Sequence, residues 1–233
     1  MTPRRIRIEC GDGAPLTLNA VIFDLDGTLL DTIEDLADSM NAALARMGLP
    51  GRSVADCKTL VGDGLETFVR RALPPEAGND PSAAARLKEL MRSEYRLRSA
   101  FKTRPYDGIP ELLEELARRG TRMAVLSNKP HDSTLAVVSH HFPGRRFDPV
   151  LGARDGFPVK PDPGGALEIA RAWRLAPAKI AYVGDTNTDM QTANAAGMFA
   201  CGARWGFRTA EELTSNGAAV LLEKPADLLP FID

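Results

Sequence analysis

The chain has 233 residues, of which 44% are hydrophobic and 26% charged, so it is long enough and apolar enough to bury a core. This balance excludes a disordered chain, a collagen-like fibre and a small disulfide-stapled domain. The formal net charge of −2 gives no reason to expect a nucleic-acid partner. The odd set of cysteines, Cys10, Cys57 and Cys201, cannot all pair within the chain, which favours a reducing compartment.

The hydropathy pattern points away from membranes. No stretch approaches the roughly 18 consecutive apolar residues that a membrane-spanning helix needs. The first residues, MTPRRIRIECGDGAP, contain arginines but no apolar region behind them, unlike a secretory signal. We therefore expect a cytoplasmic protein without a membrane partner.

Residues 1–19 are predicted to form a polar N-terminal extension. Ile6, Ile8 and Cys10 alternate with charged residues, so the segment is either a short edge strand or a flexible leader. The apolar run 20–23 then ends abruptly at Asp24, as a buried strand entering a loop does.

The segment 31–104 is predicted to be helical. Its first apolar residues recur every three or four positions until Gly48: Ile33, Leu36, Ala37, Met40, Ala43, Leu44 and Met47. Shorter periodic stretches follow at 53–61, 64–73 and 82–101. No convincing strand interrupts them, so the segment is an all-helical insert.

After residue 105 the pattern alternates between helices and short apolar strands. The predicted helices lie at 110–119, 132–141, 163–174 and 187–196, and the predicted strands at 122–126, 149–151, 180–183 and 198–202. Such a rhythm is typical of a parallel sheet with helices on both faces. We therefore predict an α/β core of residues 20–30 and 105–233, with the helical insert 31–104 placed after its first strand.

Four polar clusters follow predicted strands, at the edge where open parallel sheets bind ligands. In the first, Asp24 and Asp26 directly follow a buried strand, and crowded carboxylates of this kind favour a cation such as Mg²⁺. One carboxylate could attack phosphorus and the other could move protons, while Gly27 permits a close backbone approach to phosphate. A solvated turn or a calcium-type loop is the alternative.

The other three clusters have comparable double interpretations. Ser127 and Asn128 could receive an anion or cap a helix. Lys160 precedes two prolines that stiffen its loop, and it could place a charge beside phosphate or beside the attacking carboxylate, or be solvated. Asp185 and Asp189, four residues apart, could face one pocket or act as caps.

Taken in chain order, these clusters resemble the four motifs of the haloacid dehalogenase superfamily of aspartate-nucleophile phosphatases. The matching segments are DLDGTLLDT (24–32), SNKP (127–130), VKPDP (159–163) and VGDTNTDMQTANAAGM (183–198). The resemblance extends over residues 20–223. It implies a Rossmann-like core with strand order 3-2-1-4-5, and the helical insert is similar to the family's C1-type cap.

The resemblance also implies roles for individual residues. Asp24 would be the nucleophile and a Mg²⁺ ligand, and Asp26 would be the general acid and base, with its backbone carbonyl on the metal. Asp185 would be a further Mg²⁺ ligand and Asp189 would support the metal site. The expected phosphate-binding groups are Ser127, the Asn128 amide, Lys160 and the Gly27 loop.

The substrate implied by the resemblance is a small phosphorylated metabolite. SNKP and the cap segment VGDGLETFVRRAL (61–73) are similar to phosphoglycolate phosphatases, which favours hydrolysis of 2-phosphoglycolate. Related capped enzymes act on pyrophosphate, sugar phosphates or nucleotides, or isomerise β-glucose phosphates, and a catalytically silent regulator is a further alternative. The oligomeric state, monomer or homodimer, stays open.

Two features of the insert bear on substrate binding. Gly62 and Gly64 could let a loop close over the substrate, or they could break a helix that Asp63 caps. Arginines are candidates for holding a substrate carboxylate, with no preference among them: Arg70, Arg71, Arg96, Arg98 and Arg104.

Overall fold

The computed structural model describes residues 17–78, 80–144 and 147–233. Residues 1–16, most of the predicted extension, lie outside the described residues, and so does Cys10. Leu18 belongs to the core, because it is fully buried and its N–H donates to the carbonyl oxygen of Phe231 at 2.9 Å.

The segment from residue 20 to residue 105 forms the first core strand and the helical cap. In chain order, its elements are β1 (Ala20–Phe23), β2 (Leu30–Asp31), α1 (Ile33–Ala45), α2 (Val54–Leu60), α3 (Leu65–Ala72), α4 (Pro75–Gly78), α5 (Pro81–Arg98) and β3 (Arg104–Pro105). Helix α2 begins at a reciprocal capping box in which Ser53 and Asp56 bond each other's backbone N–H. The cap has an apolar core of its own, to which Met40, Leu87 and Met91 contribute.

The remaining elements complete the α/β core. They are α6 (Ile109–Arg118), β4 (Arg122–Pro130), α7 (His131–His141), β5 (Val150–Ala153), α8 (Gly164–Trp173), β6 (Ile180–Gly184), α9 (Asn187–Ala195), β7 (Phe199–Ala203), α10 (Ala210–Ser215) and β8 (Val220–Leu222). Helix α6 shows how the sequence specifies them: Ile109, Leu112, Leu113 and Leu116 fall on one face and are all buried.

The core sheet has six strands in the order β5-β4-β1-β6-β7-β8, and every neighbouring pair is parallel. Its two faces pack on separate apolar clusters, with Val21 and Phe23 of β1 in one and Ala20 and Ile22 in the other. Burial on both faces explains why β1 is a continuous apolar run. The predicted α/β fold is confirmed, and β8 extends the sheet beyond the five strands that the sequence indicated.

Two short strands connect the cap to the core. β2 and β3 pair antiparallel through Leu30 with Pro105 and Asp31 with Arg104, at the two ends of the insert. The buried carboxylate of Asp35 in α1 accepts the N–H of Thr103 at 2.8 Å and its hydroxyl at 2.7 Å. It also accepts the N–H of Lys102, so one side chain joins both connections. Within the described residues, no helix has the length and apolarity needed to cross a membrane.

Candidate active site

The polar clusters predicted at strand ends meet at one edge of the sheet. The carboxyl end of β4, the loops after β1, β5 and β6, and the first turn of α9 converge there, as expected for an open parallel sheet. They carry the predicted site residues Asp24, Asp26, Gly27, Ser127, Asn128, Lys160, Asp185 and Asp189. Apart from Asp26, their polar side chains are all buried.

Three of the aspartates form a compact acidic cluster. Asp24, Asp185 and Asp189 each offer a carboxylate oxygen, and these atoms lie within 4.8 Å of one another. Burial and the nearby Asp189 carboxylate raise the pKa of Asp24 from 3.8 to about 7, although Lys160 opposes the shift. Burial and the carboxylates of Asp189 and Asp24 raise the pKa of Asp185 well above its ordinary value. Cations therefore stabilise the ionised form of this cluster.

Lys160 supplies one positive charge. Its Nζ lies 2.8 Å from Oδ1 of Asp24 and 2.6 Å from Oδ1 of Asp189. Burial lowers the pKa of Lys160, but the two carboxylates raise it by more, and the net shift is upward. Oδ2 of Asp189 accepts the N–H and the hydroxyl of Thr186 at the start of α9, at 3.0 and 2.7 Å. Asp189 thus fixes the ammonium group beside Asp24.

The orientation of Asp185 depends on its neighbours in two loops, those after β1 and after β7. The Thr28 hydroxyl donates to Oδ1 at 2.8 Å, and the Phe207 N–H donates to Oδ2 at 2.8 Å. Gly27 has a φ of +93°, and a Cβ at that position would lie 2.3 Å from Oδ2 of Asp185. The sequence suggested that Gly27 admits phosphate, and the structure adds that its missing side chain admits Asp185.

Asp26 lies outside the acidic cluster and pairs with a different lysine. Its two carboxylate oxygens lie 2.8 and 2.9 Å from Nζ of Lys129. Burial lowers the pKa of Lys129, but Asp26 and Tyr95 raise it by more. Nζ also lies 4.4 Å from the centre of the Tyr95 ring, a cation–π arrangement with the cap helix α5. Sequence reasoning assigned no role to Lys129, although it directly follows Ser127 and Asn128.

The side chains of Asn128 and Ser127 have different surroundings, and the predicted role of the Asn128 backbone amide in binding phosphate stays a prediction. The side-chain amide of Asn128 accepts the Lys160 N–H at 2.9 Å and donates to the carbonyl oxygens of Lys160 and Gly62 at 3.0 and 3.2 Å. That side chain is therefore engaged in holding the lysine loop and the cap. Ser127 Oγ accepts the Lys129 N–H at 3.3 Å and lines the cavity described below.

The donor set fits a hard divalent cation. Asp24 and Asp185 bring carboxylate oxygens together, and the backbone carbonyl of Asp26 accepts no hydrogen bond from the described part of the chain. A small number of oxygen ligands with room for several waters is the environment that Mg²⁺ favours. The residues predicted to hold the metal therefore fit it chemically.

The cap is fastened over this edge of the sheet by three side chains of the core. The Arg208 guanidinium, after β7, donates to backbone carbonyls near the end of α2, those of Lys58, Thr59 and Val61. The Thr188 hydroxyl donates to Asp63 at 2.6 Å, and Asn128 bonds Gly62 as described. The predicted helix break at Gly62 and Gly64 is present, because α2 ends at Leu60 and α3 begins at Leu65, but Asp63 does not cap α3.

A cavity of about 330 Å³ lies between the cap and the core. Its core side includes Asp24, Asp26 and Ser127. Its cap side is mostly apolar and includes Leu65, Phe68 and Tyr95, together with two arginines of α5, Arg92 and Arg96. This volume falls within the range of small-molecule sites, about 300–1,000 Å³.

Comparison with known sequences identifies the family. The sequence pattern of the haloacid dehalogenase-like hydrolases matches residues 21–203, which include every candidate site residue. The chain belongs to this family. The matched range contains Asp24, Lys160 and the acidic segment 185–189.

Curated relatives within the family have similar lengths. A phosphoglycolate phosphatase of Pectobacterium atrosepticum is 30% identical over 217 residues, covering 92% of each chain. That of Thiobacillus denitrificans is 34% identical over 186 residues, covering 78% of this chain and 82% of the relative. These matches confirm the predicted family and the predicted enzyme class, a phosphatase.

Solved structures show the same fold. A predicted phosphoglycolate phosphatase from Haemophilus somnus has a TM-score of 0.85 at 26% identity, covering 91% of this chain and 96% of that one. A haloacid dehalogenase-like family hydrolase from Streptococcus pneumoniae has a TM-score of 0.81 at 22% identity, covering 91% and 97%. The similarity covers the cap as well as the core of this haloacid dehalogenase-like hydrolase.

Proposed function

We propose that this chain is a Mg²⁺-dependent phosphatase that hydrolyses 2-phosphoglycolate to glycolate and phosphate. The observation that carries the proposal is the position of Asp24, which lines the cavity, contacts Lys160 and lies within the acidic cluster. The relatives named above are phosphoglycolate phosphatases, and this supports the choice of substrate.

In the first half of the reaction, an oxygen of Asp24 attacks phosphorus and the bond from phosphorus to the ester oxygen breaks, leaving an aspartyl-phosphate. Asp26, on the same cavity wall, gives a proton to the departing alkoxide. Lys160 and Ser127 bind phosphoryl oxygens, because phosphoryl transfer depends mainly on positioning and on neutralising negative charge. Mg²⁺, held by Asp24, Asp185 and the Asp26 carbonyl, would neutralise charge on the same group.

In the second half, water replaces the alcohol. Asp26 takes a proton from the water molecule. As the water oxygen attacks phosphorus, the bond from phosphorus to Asp24 breaks. The products are inorganic phosphate and the regenerated carboxylate. The cap contacts of Arg208 and Thr188 would keep bulk solvent away from the intermediate until this step.

The proposal is tested by measuring phosphate release with Mg²⁺ from 2-phosphoglycolate, glucose phosphates, pyrophosphate, nucleoside monophosphates and p-nitrophenyl phosphate. The Asp24→Asn variant is the blank. We expect the highest kcat/KM for 2-phosphoglycolate and loss of turnover on chelation, restored by Mg²⁺. Equal activity on all compounds would overturn the assignment of 2-phosphoglycolate as substrate but not the phosphatase activity. No phosphate release from any compound would favour a mutase or a silent regulator.

A further inference from the structure

The sequence offered five arginines as equal candidates for binding a substrate carboxylate, and the structure gives them different surroundings. Arg71 is paired with Asp63 at 2.7 Å, and Arg98 is paired with Glu94. Arg104 lies 3.9 Å from Asp31 at the hinge. These three are engaged with carboxylates of the protein itself, and none of them lines the cavity.

The two remaining arginines differ in position. Arg96 lines the cavity, whereas Arg70 does not. Across the described residues, Arg96 has neither an ion pair nor a hydrogen-bond acceptor. Its neighbour on the same helix face, Arg92, also lines the cavity but is paired with Glu89 at 3.4 Å. Arg96 is therefore the cation of the cavity's cap side that no protein carboxylate neutralises.

The environment of Arg96 suits a small anionic group. Tyr95, the adjacent residue, is buried, and its hydroxyl has no hydrogen-bond partner in the described chain. The other cap residues lining the cavity are mainly apolar, for example Leu65 and Phe68, and the charged pair among them, Arg92 with Glu89, is already neutralised. The acidic reaction centre is on the core side, so a molecule with its phosphate at Asp24 presents its other end to the cap.

Resting on the proposed function, we propose that Arg96 binds the carboxylate of the substrate and selects phosphate esters with an anionic tail. A guanidinium can bind a carboxylate through two parallel hydrogen bonds, a geometry that a hydroxyl or an amine tail cannot reproduce. Asp132 also lines the cavity and would instead favour a cationic tail. A measured preference for an anionic or a cationic tail therefore shows whether Arg96 or Asp132 determines specificity.

The experiment compares three phosphate esters of similar size, 2-phosphoglycolate, 2-hydroxyethyl phosphate and phosphoethanolamine. For Arg96→Gln, we expect the preference for the carboxylate tail over the hydroxyl tail to fall about 10- to 100-fold, the usual effect of losing a charge-assisted hydrogen bond. Arg96→Lys should keep part of the preference, because it keeps the charge without the planar fork. Arg70→Gln is the matched control and should keep all of it.

Calorimetric binding of the same three compounds in the presence of Mg²⁺ supplies a readout independent of turnover when all proteins carry Asp24→Asn, alone or combined with Arg96→Gln or Arg70→Gln. Weakened binding of 2-phosphoglycolate alone in Arg96→Gln supports the proposal even if the chain fails as a phosphatase. Equal losses for all three compounds, an equal loss in Arg70→Gln, or tighter binding of phosphoethanolamine would overturn it. Absence of turnover with intact selective binding would overturn only the proposed function.

Discussion

The acidic cluster at the carboxyl end of β1 sets the chemistry of individual residues. Asp24 is buried among carboxylates and paired with Lys160, so loss of its charge should affect both the reaction proposed for it and the stability of the fold. The effects of one substitution on activity and on stability can therefore have opposite signs.

Asp24→Asn should abolish turnover while preserving the fold. The amide has nearly the same shape as the carboxylate but cannot form the aspartyl-phosphate. We expect a fall in kcat of at least about 1,000-fold, near the blank of a phosphate-release assay, with an unchanged circular dichroism spectrum. Residual activity above a tenth of the wild type would remove Asp24 from the role of nucleophile.

The same substitution should stabilise the metal-free protein in a pH-dependent way. Because burial and Asp189 raise the pKa of Asp24 to about 7, the folded state binds the proton more tightly than the unfolded state. The carboxyl thus destabilises the fold progressively as pH rises from about 4 to about 7. We expect the free energy of unfolding of Asp24→Asn, relative to that of the wild type, to increase by on the order of 1–3 kcal/mol from pH 5 to pH 8.

Urea denaturation in the presence of a chelator, at both pH values, measures this gain. Asp107→Asn, at an exposed position, is the control and should show no such difference. A stability difference between Asp24→Asn and the wild type that stays constant with pH would contradict a raised pKa for Asp24.

Asp26→Asn should act most strongly on substrates with poor leaving groups. An alkoxide needs a proton as it departs, whereas p-nitrophenolate does not. We expect kcat for 2-phosphoglycolate to fall about 100-fold or more, and the first step with p-nitrophenyl phosphate to fall much less. The phenol burst in rapid mixing isolates that step, and equal losses for the two substrates would argue against the acid role.

At the scale of elements, the side chains that hold the cap, Arg208, Thr188 and Asn128, come from core segments that also carry the candidate site. Arg208 should therefore control how well the site is assembled. We expect Arg208→Ala to lower kcat/KM about 10-fold or more and to increase hydrogen exchange in residues 58–63, because three backbone carbonyls lose their donor. Arg204→Ala, which removes an exposed pair with Glu223, is the control and should change neither quantity.

The strands that carry the site were predictable because each is a short apolar run ending in a polar cluster, as in 20–24 and 180–185. β8 was not, since it has three residues at the sheet edge, two of them half-buried. The pairing of Lys129 with Asp26 spans 103 positions, and that of Arg208 with Lys58 spans 150. Contacts across such distances have no local pattern, so the sequence could indicate the cluster members but not these partners.

At the scale of the whole molecule, the site should link cation binding to folding. Ligands that bind only the folded state stabilise it by mass action, and the unfolded chain does not bring Asp24 and Asp185 together. We expect Mg²⁺ at about 100 times its dissociation constant to raise the free energy of unfolding by about 3 kcal/mol. Calorimetric melting should show this for the wild type and not for Asp185→Asn, and equal shifts in both would place the cation elsewhere.

The Asp35 carboxylate determines how the two halves of the molecule can move. It holds the outgoing and returning connections together through Thr103 and Lys102, beside the paired strands β2 and β3. Because the two connections between the cap and the core lie side by side, the motion left to the cap as a rigid body is chiefly rotation about one axis. Rotation of the cap about these connections would follow one arc and would return Arg96 to the same position across the cavity from Asp24.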